Sequence, residues 1–299
     1  MKIVGLLTNE RNPAALESAR RLTALLQGRK DVRVVARASV ADAVEDSLCC
    51  AGSETEIAEA DFVVVFGGDG TILSAARQMA RFGTPLLAVH LGHFGFITEV
   101  APEGLVEAVE DALAGRARTE ERMMLRGVIE RAHPTPAEGS GSQVETAELL
   151  AMNDIVAASG SVRMTHIRAE INGLTLATYA ADGVIVASPT GSTGYSLSAG
   201  GPLLHPSVPA LVVTPICPHT LSARSLVLPD NHFVRLIVEG PTRDNVVASV
   251  DGQIDIILES GDSIVVSRSP YTVKLLSVGG PNFYQKIRSR WHFGERSPS

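Results

Sequence analysis

The first part of the chain alternates short apolar runs with longer segments in which apolar residues recur every three or four positions. The short runs are rich in Val, Ile, Leu and Phe, as buried strands are, and the longer segments have the period of amphipathic helices. Strands and helices that alternate in this way form a parallel sheet covered by helices. The pattern predicts strands at Lys2–Leu7, Val32–Ala36, Phe62–Phe66 and Leu86–Val89, and helices starting at Asn12-Pro13, over Thr71–Ala80 and from about Pro102 to Ala114.

After about Thr119 the strand pattern dominates, and the sequence predicts an all-β domain. Asn172-Gly173 and Asp251-Gly252 are typical of two-residue hairpin turns. We therefore predict an α/β domain over residues 1–118 and a β-rich domain over residues 119–276. The predicted strands are Met124–Glu130, Leu149–Ala157, His166–Ile171, Leu174–Tyr179, Val184–Ala187, Leu211–Pro215, Phe233–Val238, Val246–Val250, Ile254–Leu258, Ser263–Ser267 and Tyr271–Leu276.

Three segments complete the pattern. Pro134–Ala147 is rich in Pro, Gly, Ser and Glu, which predicts an exposed loop. Phe283–Trp291 has helical character with basic residues, and Arg296–Ser299 is expected to be frayed.

The most informative segment is Gly67-Gly68-Asp69-Gly70-Thr71, which links a predicted strand to a predicted helix. Glycines let backbone N–H groups approach an anion closely, and a helix N-terminus favours negative charge. A carboxylate is costly beside a phosphate, so Asp69 is expected to act on a metal or on a hydroxyl proton. The simpler alternative is an Asp that caps a helix. The turn is neither a P-loop nor the spaced G-x-G-x-x-G fingerprint.

Two further polar clusters stand among apolar neighbours. Asn153-Asp154 lies inside a predicted strand, where polar side chains are costly unless they have partners, so we expect the pair to hold ribose hydroxyls; a bulge or strand end is the alternative. The segment from Asp182 to Pro202 follows an apolar strand with a dense run of Ser, Thr and Gly. Its hydroxyls and amides suit a nucleotide, whereas the alternative is a polar surface loop.

The composition of the chain bears on its partners and on where it works. The chain has 299 residues, 45% of them hydrophobic, and a net charge of -7, which argues against nucleic acid as the main partner. Three cysteines give no even disulfide framework, and we expect a reduced, cytoplasmic setting. No signal peptide and no membrane span are expected from the apolar pattern.

Together these motifs resemble the NAD kinase family, in family order and over most of the chain. The Gly-Gly-Asp-Gly-Thr turn is shared with phosphofructokinases and with lipid kinases, whereas the Pro-Thr-Gly-Ser-Thr and Pro-His-Thr-Leu-Ser segments are more specific. The matching elements are Gly67–Thr71, Leu91-Gly92-x-Phe94-Gly95-Phe96, Asn153-Asp154, Asp182-Gly183 through Gly201, Pro215–Ser222 and Asp251-Gly252-Gln253.

The resemblance implies an α/β N-terminal domain with a parallel, phosphofructokinase-like or lipid-kinase-like sheet, and an all-β, sandwich-like C-terminal domain. It also implies that the chain end, residues 277–299, returns to the first domain. The implied activity is transfer of the γ-phosphate of ATP to the 2′-hydroxyl of the adenosine ribose of NAD. Mg²⁺ would be held mainly by the ATP phosphates, and the protein would be a homodimer or homotetramer.

Residue roles follow by position in the family motifs. Asp69 would be the general base. The implied NAD-binding residues are Asp69, Gly70, Asn153, Asp154, Arg163, Asp182, Thr190, Thr193, Gly194, Tyr195, Ser198 and Gln253. The implied phosphate-binding residues are Gly67, Gly68, Thr71 and His219.

Three questions stay open at this stage. The family usually has Ala at Gly194 and Glu at Asp154, which leaves the preference for NAD or NADH undecided. Polyphosphate is an alternative donor to ATP. A lipid kinase and a dinucleotide-binding module without catalysis are the competing functions; the first needs an acyl pocket, and the second does not need Asp69.

Overall fold

The computed structural model describes residues 1–92, 95–97, 100–132, 148–220, 222–240, 245–279 and 282–291. The expectations for Pro134–Ala147, Arg296–Ser299, Phe94 and Leu221 lie outside these residues. Residue contacts divide the chain into one unit of residues 1–121 with 272–299 and a second unit of residues 122–271. The sequence-based domain boundaries at 118 and 276 stay a prediction.

The first unit opens with alternating strands and helices. In chain order these are β1 (Lys2–Thr8), α1 (Pro13–Leu26), β2 (Val32–Ala36), α2 (Ala38–Val44), β3 (Cys49–Ala51), α3 (Glu54–Ala58), β4 (Phe62–Gly67), α4 (Asp69–Met79), β5 (Leu86–His90), a 3-10 turn (Pro102–Gly104) and α5 (Leu105–Leu113).

The second unit is built mainly of strands. These are β6 (Arg118–Glu130), β7 (Leu149–Ala151), β8 (Asp154–Ser159), β9 (Thr165–Ile171), β10 (Leu174–Ala181), β11 (Gly183–Ala187), a 3-10 turn (Gly191–Thr193), α6 (Tyr195–Ser198), β12 (Ala210–Ile216), β13 (Leu226–Pro229), β14 (Phe233–Glu239), β15 (Val246–Val250), β16 (Ile254–Leu258) and β17 (Ser263–Ser277), and α7 (Phe283–Trp291) follows in the first unit.

The sheet of the first unit is parallel, in the order β3-β2-β1-β4-β5, and the last residues of β17 join it through the pair Leu275–Leu86. β4 is buried along its whole length, as its continuous apolar run predicts. Apolar side chains of α1, α2 and α5 pack with those of the strands in one core that includes Leu22, Phe66 and Val109.

The second unit has two antiparallel sheets. One has the order β10-β9-β14-β17, with β6 beside β17 and β7 beside β6, and the other has the order β13-β12-β11-β8-β15-β16. One hydrophobic core contains residues of both sheets, such as Ile167 and Val234 from the first and Val184 and Val213 from the second. A parallel α/β unit followed by an antiparallel two-sheet unit confirms the predicted fold class.

Hairpin turns are present at both predicted positions. Asn172-Gly173 is a two-residue turn as predicted, because Ile171 pairs with Leu174. The turn at Asp251-Gly252 has three residues instead of two, because Val250 pairs with Ile254. Asn172 and Asp251 have φ values of 51° each, and the glycines that follow them also have positive φ. Only Gly, Asn and Asp adopt this conformation readily, which is why these dipeptides predict tight turns.

Several predicted boundaries were wrong. The predicted strand Leu149–Ala157 is broken after Ala151, and the two strands predicted within 263–276 are one continuous strand, β17. Helix α4 begins at Asp69, two residues before its predicted start, so that Asp69 lies in the first helical turn. The sequence pattern also missed α2, β3, α3 and β13, which are at most seven residues long.

In the residues that the structure describes, no helix is long and apolar enough to cross a membrane.

Candidate functional site

The Gly67–Thr71 turn lies at the carboxyl end of two central strands of the first unit. Gly67 is the last residue of β4 and pairs in register with His90, the last residue of β5. The side chain of Thr71 folds back over Gly67, where a β-carbon would overlap it, so only glycine fits there. Ligands of parallel α/β sheets bind at this edge, outside the ends of the strands.

Gly68 is the N-cap of α4 and offers no side chain to the first N–H groups of the helix. Apart from its two chain neighbours, no atom of the described residues lies within 4 Å of the position that a β-carbon of Gly68 would take. Gly68 and Gly70 are both exposed. The turn therefore presents open backbone at a helix N-terminus, which is the geometry that suits a phosphate group.

Asp69 is half-buried, and its carboxylate packs directly against Gly95, where a β-carbon would overlap the carboxyl group. Among the described residues, Oδ1 of Asp69 is buried and has no hydrogen-bond partner. Burial raises the pKa of Asp69, opposed by the positive charge of Arg290, a hydrogen bond from the Phe96 N–H, and the charges of Lys286 and His90. A carboxyl group whose proton affinity is raised in this way is suited to accept a proton.

The break between β7 and β8 has a clear physical cause in the second unit. The carboxylate of Asp251 accepts hydrogen bonds from the N–H groups of Met152 (3.1 Å), Asn153 (2.8 Å) and Asp154 (3.2 Å). In return the Asp251 N–H donates to the carbonyl of Asp154 at 3.0 Å. These backbone groups bond to a side chain rather than to a neighbouring strand, so the predicted strand is interrupted here.

Asn153 and Asp154 are held at this break. Asp154 is 5% exposed, and its burial together with the negative charge of Asp251 raises its pKa to about 7. Within the described residues, Oδ1 of Asn153 is buried without a hydrogen-bond partner. A methyl group on Gly194 would lie 3.6 Å from Nδ2 of Asn153 and 3.9 Å from Oδ2 of Asp154. The fold therefore brings Asn153, Asp154 and Gly194 together.

Three serines in the polar segment hold the segment itself rather than facing a ligand. The buried Ser188 hydroxyl donates to the Met152 carbonyl at 2.5 Å and accepts from the Gly191 N–H at 3.1 Å. Ser192 and Ser196 are likewise buried and hydrogen-bonded. The density of hydroxyl groups thus overstated how many of them are available to a nucleotide.

Thr190 differs from these serines. It is 4% exposed, and its Oγ1 has no hydrogen-bond partner in the part of the chain that the structure describes. Its neighbour Thr193 donates its own hydroxyl to the Thr190 carbonyl at 3.0 Å. Thr190 therefore keeps an unused buried hydroxyl group close in sequence to Gly194.

Tyr195 links two predicted parts of the site. Its side chain is 47% exposed, and its pKa is raised by partial burial and then by the charges of Cys217, Asp182 and Asp154. Asp182 itself is exposed between β10 and β11. An exposed phenol ring within the electrostatic influence of two carboxyl groups can stack against a nucleotide base while hydrogen-bond donors of the ligand bind the carboxylates.

The remaining predicted residues are all exposed. Ser198 lies at the end of α6, and Gln253 follows the Asp251-Gly252 turn. Arg163 lies in the turn before β9, where its N–H donates to Ser161 Oγ at 3.2 Å, and His219 follows β12. For these four side chains, the contacts that the structure describes do not indicate which part of a ligand they would bind.

Sequence reasoning missed four residues that contact the predicted site residues, hold their backbone or act electrostatically on them. Asp251 was interpreted mainly as a turn residue, and Gly95 was noted only as part of a motif. Lys286 and Arg290 were noted only as basic residues of a helix. Two sequence signals could have drawn attention to Asp251 and Lys286. One is an Asp in a turn, where it also has a carboxylate to offer, and the other is a basic residue within an apolar helix face.

Among the described residues, no group of three or more His, Cys, Asp and Glu side chains is placed to hold a metal ion.

Comparison with known proteins covers nearly the whole chain. Residues 4–117 match the family described as ATP-NAD kinase N-terminal domain, and residues 152–278 match the ATP-NAD kinase C-terminal domain. An NAD kinase from Moorella thermoacetica is 40% identical over 294 residues, covering 97% of this chain and 89% of that protein. An NAD kinase from Citrifermentans bemidjiense is 37% identical over 99% of this chain and 100% of that protein.

Solved structures agree. Yeast NADH kinase, crystallised with NADH, matches with a TM-score of 0.87 and 28% identity, covering 100% of this chain and 89% of that one. An NAD kinase from Archaeoglobus fulgidus in complex with ATP matches with a TM-score of 0.70 over 98% of both chains, and at 23% identity it supports the fold alone.

Proposed function

The chain belongs to the NAD kinase family, and from this premise we propose that it phosphorylates NAD with ATP. The γ-phosphate of ATP is transferred to the 2′-hydroxyl of the adenosine ribose, and the products are NADP and ADP. This assigns the enzyme to the phosphotransferases that act on an alcohol group.

One observation carries the assignment of the residues. Three of the residues predicted to contact the substrates have a buried polar atom without a hydrogen-bond partner in the described part of the chain: Oδ1 of Asp69, Oδ1 of Asn153 and Oγ1 of Thr190. Leaving such an atom unsatisfied costs about 1–3 kcal/mol, so each calls for a partner that the folded chain does not supply. A bound dinucleotide with its hydroxyl and amide groups is such a partner.

Asp69 acts as the general base. As the ribose 2′-oxygen attacks the γ-phosphorus, its proton passes to the Asp69 carboxylate, and the bond between the γ-phosphorus and the bridging oxygen of ADP breaks. Raised proton affinity supports this role, because a general base is most effective when its pKa approaches the working pH. The open backbone of Gly68 is suited to the phosphates. Gly67 and Thr71 are assigned to the phosphates, and Gly70 to NAD, by their positions in the same turn.

The second unit supplies the proposed dinucleotide contacts. Asn153 and Asp154 hold ribose hydroxyls, and Asp182 faces the nicotinamide half. Thr190, Thr193, Gly194, Tyr195 and Ser198 form the adenosine pocket. Arg163 and Gln253 are further proposed contacts, and His219 is proposed to lie near phosphate. These three, like Ser198, are assigned by motif position alone.

A divalent cation, expected to be Mg²⁺, comes with the ATP and is held mainly by its phosphates and by water. The space that the described residues leave open at the β-carbon position of Gly68 fits phosphates that carry their own metal. When bound, the cation neutralises charge on the triphosphate.

Three finer points belong to the same proposal. ATP is the preferred donor, with polyphosphate as the alternative. The three free cysteines support a cytoplasmic location. Assembly as a homodimer or homotetramer is supported by exposed leucines on β10, where Leu174 is 77% and Leu176 41% exposed.

The reaction is tested by incubating the protein with ATP, Mg²⁺ and NAD and locating the new phosphate by phosphorus NMR. We expect a 2′-phosphate on the adenosine ribose, and we expect adenosine and nicotinamide mononucleotide to be poor acceptors because each lacks half of the contacts. Phosphate on the nicotinamide ribose, or faster phosphorylation of diacylglycerol than of NAD, would overturn the proposal. Replacing ATP by polyphosphate in parallel identifies the donor.

A further inference from the structure

Helix α7 holds the residue next to Gly95 from two sides. The ammonium group of Lys286 donates a hydrogen bond to the carbonyl of Phe96 at 3.2 Å. The guanidinium carbon of Arg290 lies 5.0 Å from the centre of the Phe96 ring, within the range of a cation–π contact. These residues are one helical turn apart, so both face the same neighbour.

Phe96 in turn holds the carboxylate of Asp69. Its N–H hydrogen-bonds to that carboxylate, and Gly95, directly before it, packs against the carboxyl group so closely that no side chain fits between them. A continuous series of contacts therefore runs from α7 through Phe96 to Asp69. All of these residues belong to the first unit.

The burial of Lys286 argues that this arrangement has a purpose beyond packing. Lys286 is only 7% exposed. Lysine is seldom buried, because removing an ammonium group from water is costly. An apolar side chain in that position of α7 would fill the same space without that cost. The chain instead places a cation there, with its ammonium group on the Phe96 carbonyl.

We propose that α7 is part of the catalytic machinery, with Lys286 and Arg290 as positioning residues that hold Phe96 and thereby fix the Asp69 carboxylate for proton transfer. The expected effect on turnover rests on the proposed function. The contacts of Lys286 and Arg290 with Phe96 do not depend on that function. Neither side chain is assigned to substrate; both act through Phe96 on the geometry of the base.

The charges of the two residues add a measurable signature. In the part of the chain that the structure describes, the groups that act electrostatically on Asp69 are His90 at the end of β5 and Lys286 and Arg290 on α7. All three oppose the rise in its pKa that burial causes. Removing either α7 cation therefore raises the pKa of Asp69 further. Since the base must be ionised, the acidic limb of the pH profile of kcat then moves to higher pH.

The test compares Lys286→Met, Arg290→Gln and Arg288→Gln with the wild-type protein. Arg288 lies on the same helix, is exposed, and provides the matched loss of one positive charge. We expect Lys286→Met to lower kcat about ten- to a hundredfold, as misplacement of a reacting group does, with a smaller effect on KM for NAD. Arg290→Gln should lower kcat less than Lys286→Met does. Arg290→Lys keeps the positive charge and should therefore be more active than Arg290→Gln. Arg288→Gln should match the wild type.

A second measurement does not depend on turnover. In protein with ¹³C-labelled aspartate carboxyl groups, the Asp69 resonance is identified by its loss in Asp69→Asn, and its titration is followed by NMR. We expect titration at higher pH in Lys286→Met and Arg290→Gln and no change in Arg288→Gln.

The inference is overturned if kcat and the Asp69 titration in both variants match those of Arg288→Gln, or if kcat falls while the titration stays unchanged. If Lys286→Met does not fold, the exposed Arg290 provides the deciding variant. A wild-type protein that makes no NADP would refute the proposed function, and the NMR titration would still decide the role of α7.

Discussion

At the scale of single residues, the Asp69 carboxylate is the group on which the proposed reaction depends most directly. Asp69→Asn keeps the shape of the side chain and removes its basicity. We expect turnover to fall by about 10²–10⁴-fold while NAD binding changes little. Asp42→Asn, an exposed aspartate of α2, is the matched control. A variant that keeps more than about a tenth of wild-type turnover would rule out Asp69 as the base.

Gly95 is a second residue whose identity the geometry requires. A methyl group there would overlap the Asp69 carboxylate, so Gly95→Ala has to displace the base or the segment around it. We expect a loss of stability of about 1–3 kcal/mol and a large loss of kcat. Gly104→Ala is the control, because its added methyl group would lie 3.8 Å from Val100, an ordinary contact. Equal kcat values in the two variants would contradict the close contact.

Asp154 makes stability depend on pH. Its pKa in the folded protein is about 7, against 3.8 for an ordinary aspartate, so between these values the folded chain holds a proton that the unfolded chain has released. The free energy of unfolding therefore falls as pH rises from about 4 to about 7, by up to roughly 4 kcal/mol. Asp154→Asn should remove this dependence, and Asp182→Asn, at an exposed site, should leave it. Urea unfolding at a series of pH values measures the free energy of unfolding. If it changes with pH equally in the wild type and in Asp154→Asn, Asp154 is not the source of the pH dependence.

At the scale of secondary-structure elements, the break between β7 and β8 determines where Asn153 and Asp154 lie. The Asp251 carboxylate holds three N–H groups there, and an asparagine can adopt the same positive φ while offering only one acceptor oxygen. We expect Asp251→Asn to keep the turn but to weaken NAD binding by about tenfold or more. Calorimetric titration with NAD and with ATP measures this effect.

Asp255 on β16 provides the control for that experiment. It is an exposed carboxylate that accepts a hydrogen bond from Ser249, and it has no part in the break. If Asp251→Asn and Asp255→Asn bind NAD equally well, the carboxylate of Asp251 does not position the binding pair.

The elements also show which features the sequence could predict. Long periodic segments such as α1 and α7, and strands flanked by strong turn residues such as β15 and β16, were predicted closely because local pattern and tertiary packing agree. The break after β7 was raised only as the alternative of a bulge or strand end at Asn153-Asp154. Its cause was not predicted, since it depends on a carboxylate about a hundred residues later in the chain. The contact of Lys286 with Phe96 joins residues 190 positions apart in the sequence, and no local pattern indicates it.

At the scale of the whole molecule, the two units divide the proposed tasks. Residues 122–271 contain the proposed dinucleotide contacts, apart from those of Asp69 and Gly70, and the first unit contains Asp69, the phosphate turn and α7. A chain ending at residue 271 lacks the edge of the parallel sheet and α7. We expect this chain to keep measurable NAD binding in calorimetry and to show no turnover. Formation of NADP by the truncated chain would contradict the division of tasks.

The first unit is assembled from two stretches of sequence that stand on either side of the second unit. Ribosomes make proteins from the amino end, at roughly 5–20 residues per second, so every residue of the second unit is made before the end of β17 and before α7. During synthesis the residues of the second unit that are proposed to contact the dinucleotide are therefore all made before α7, the helix proposed to position Asp69. We therefore expect a growing chain to contain every proposed dinucleotide contact before the Asp69 carboxylate is held for proton transfer.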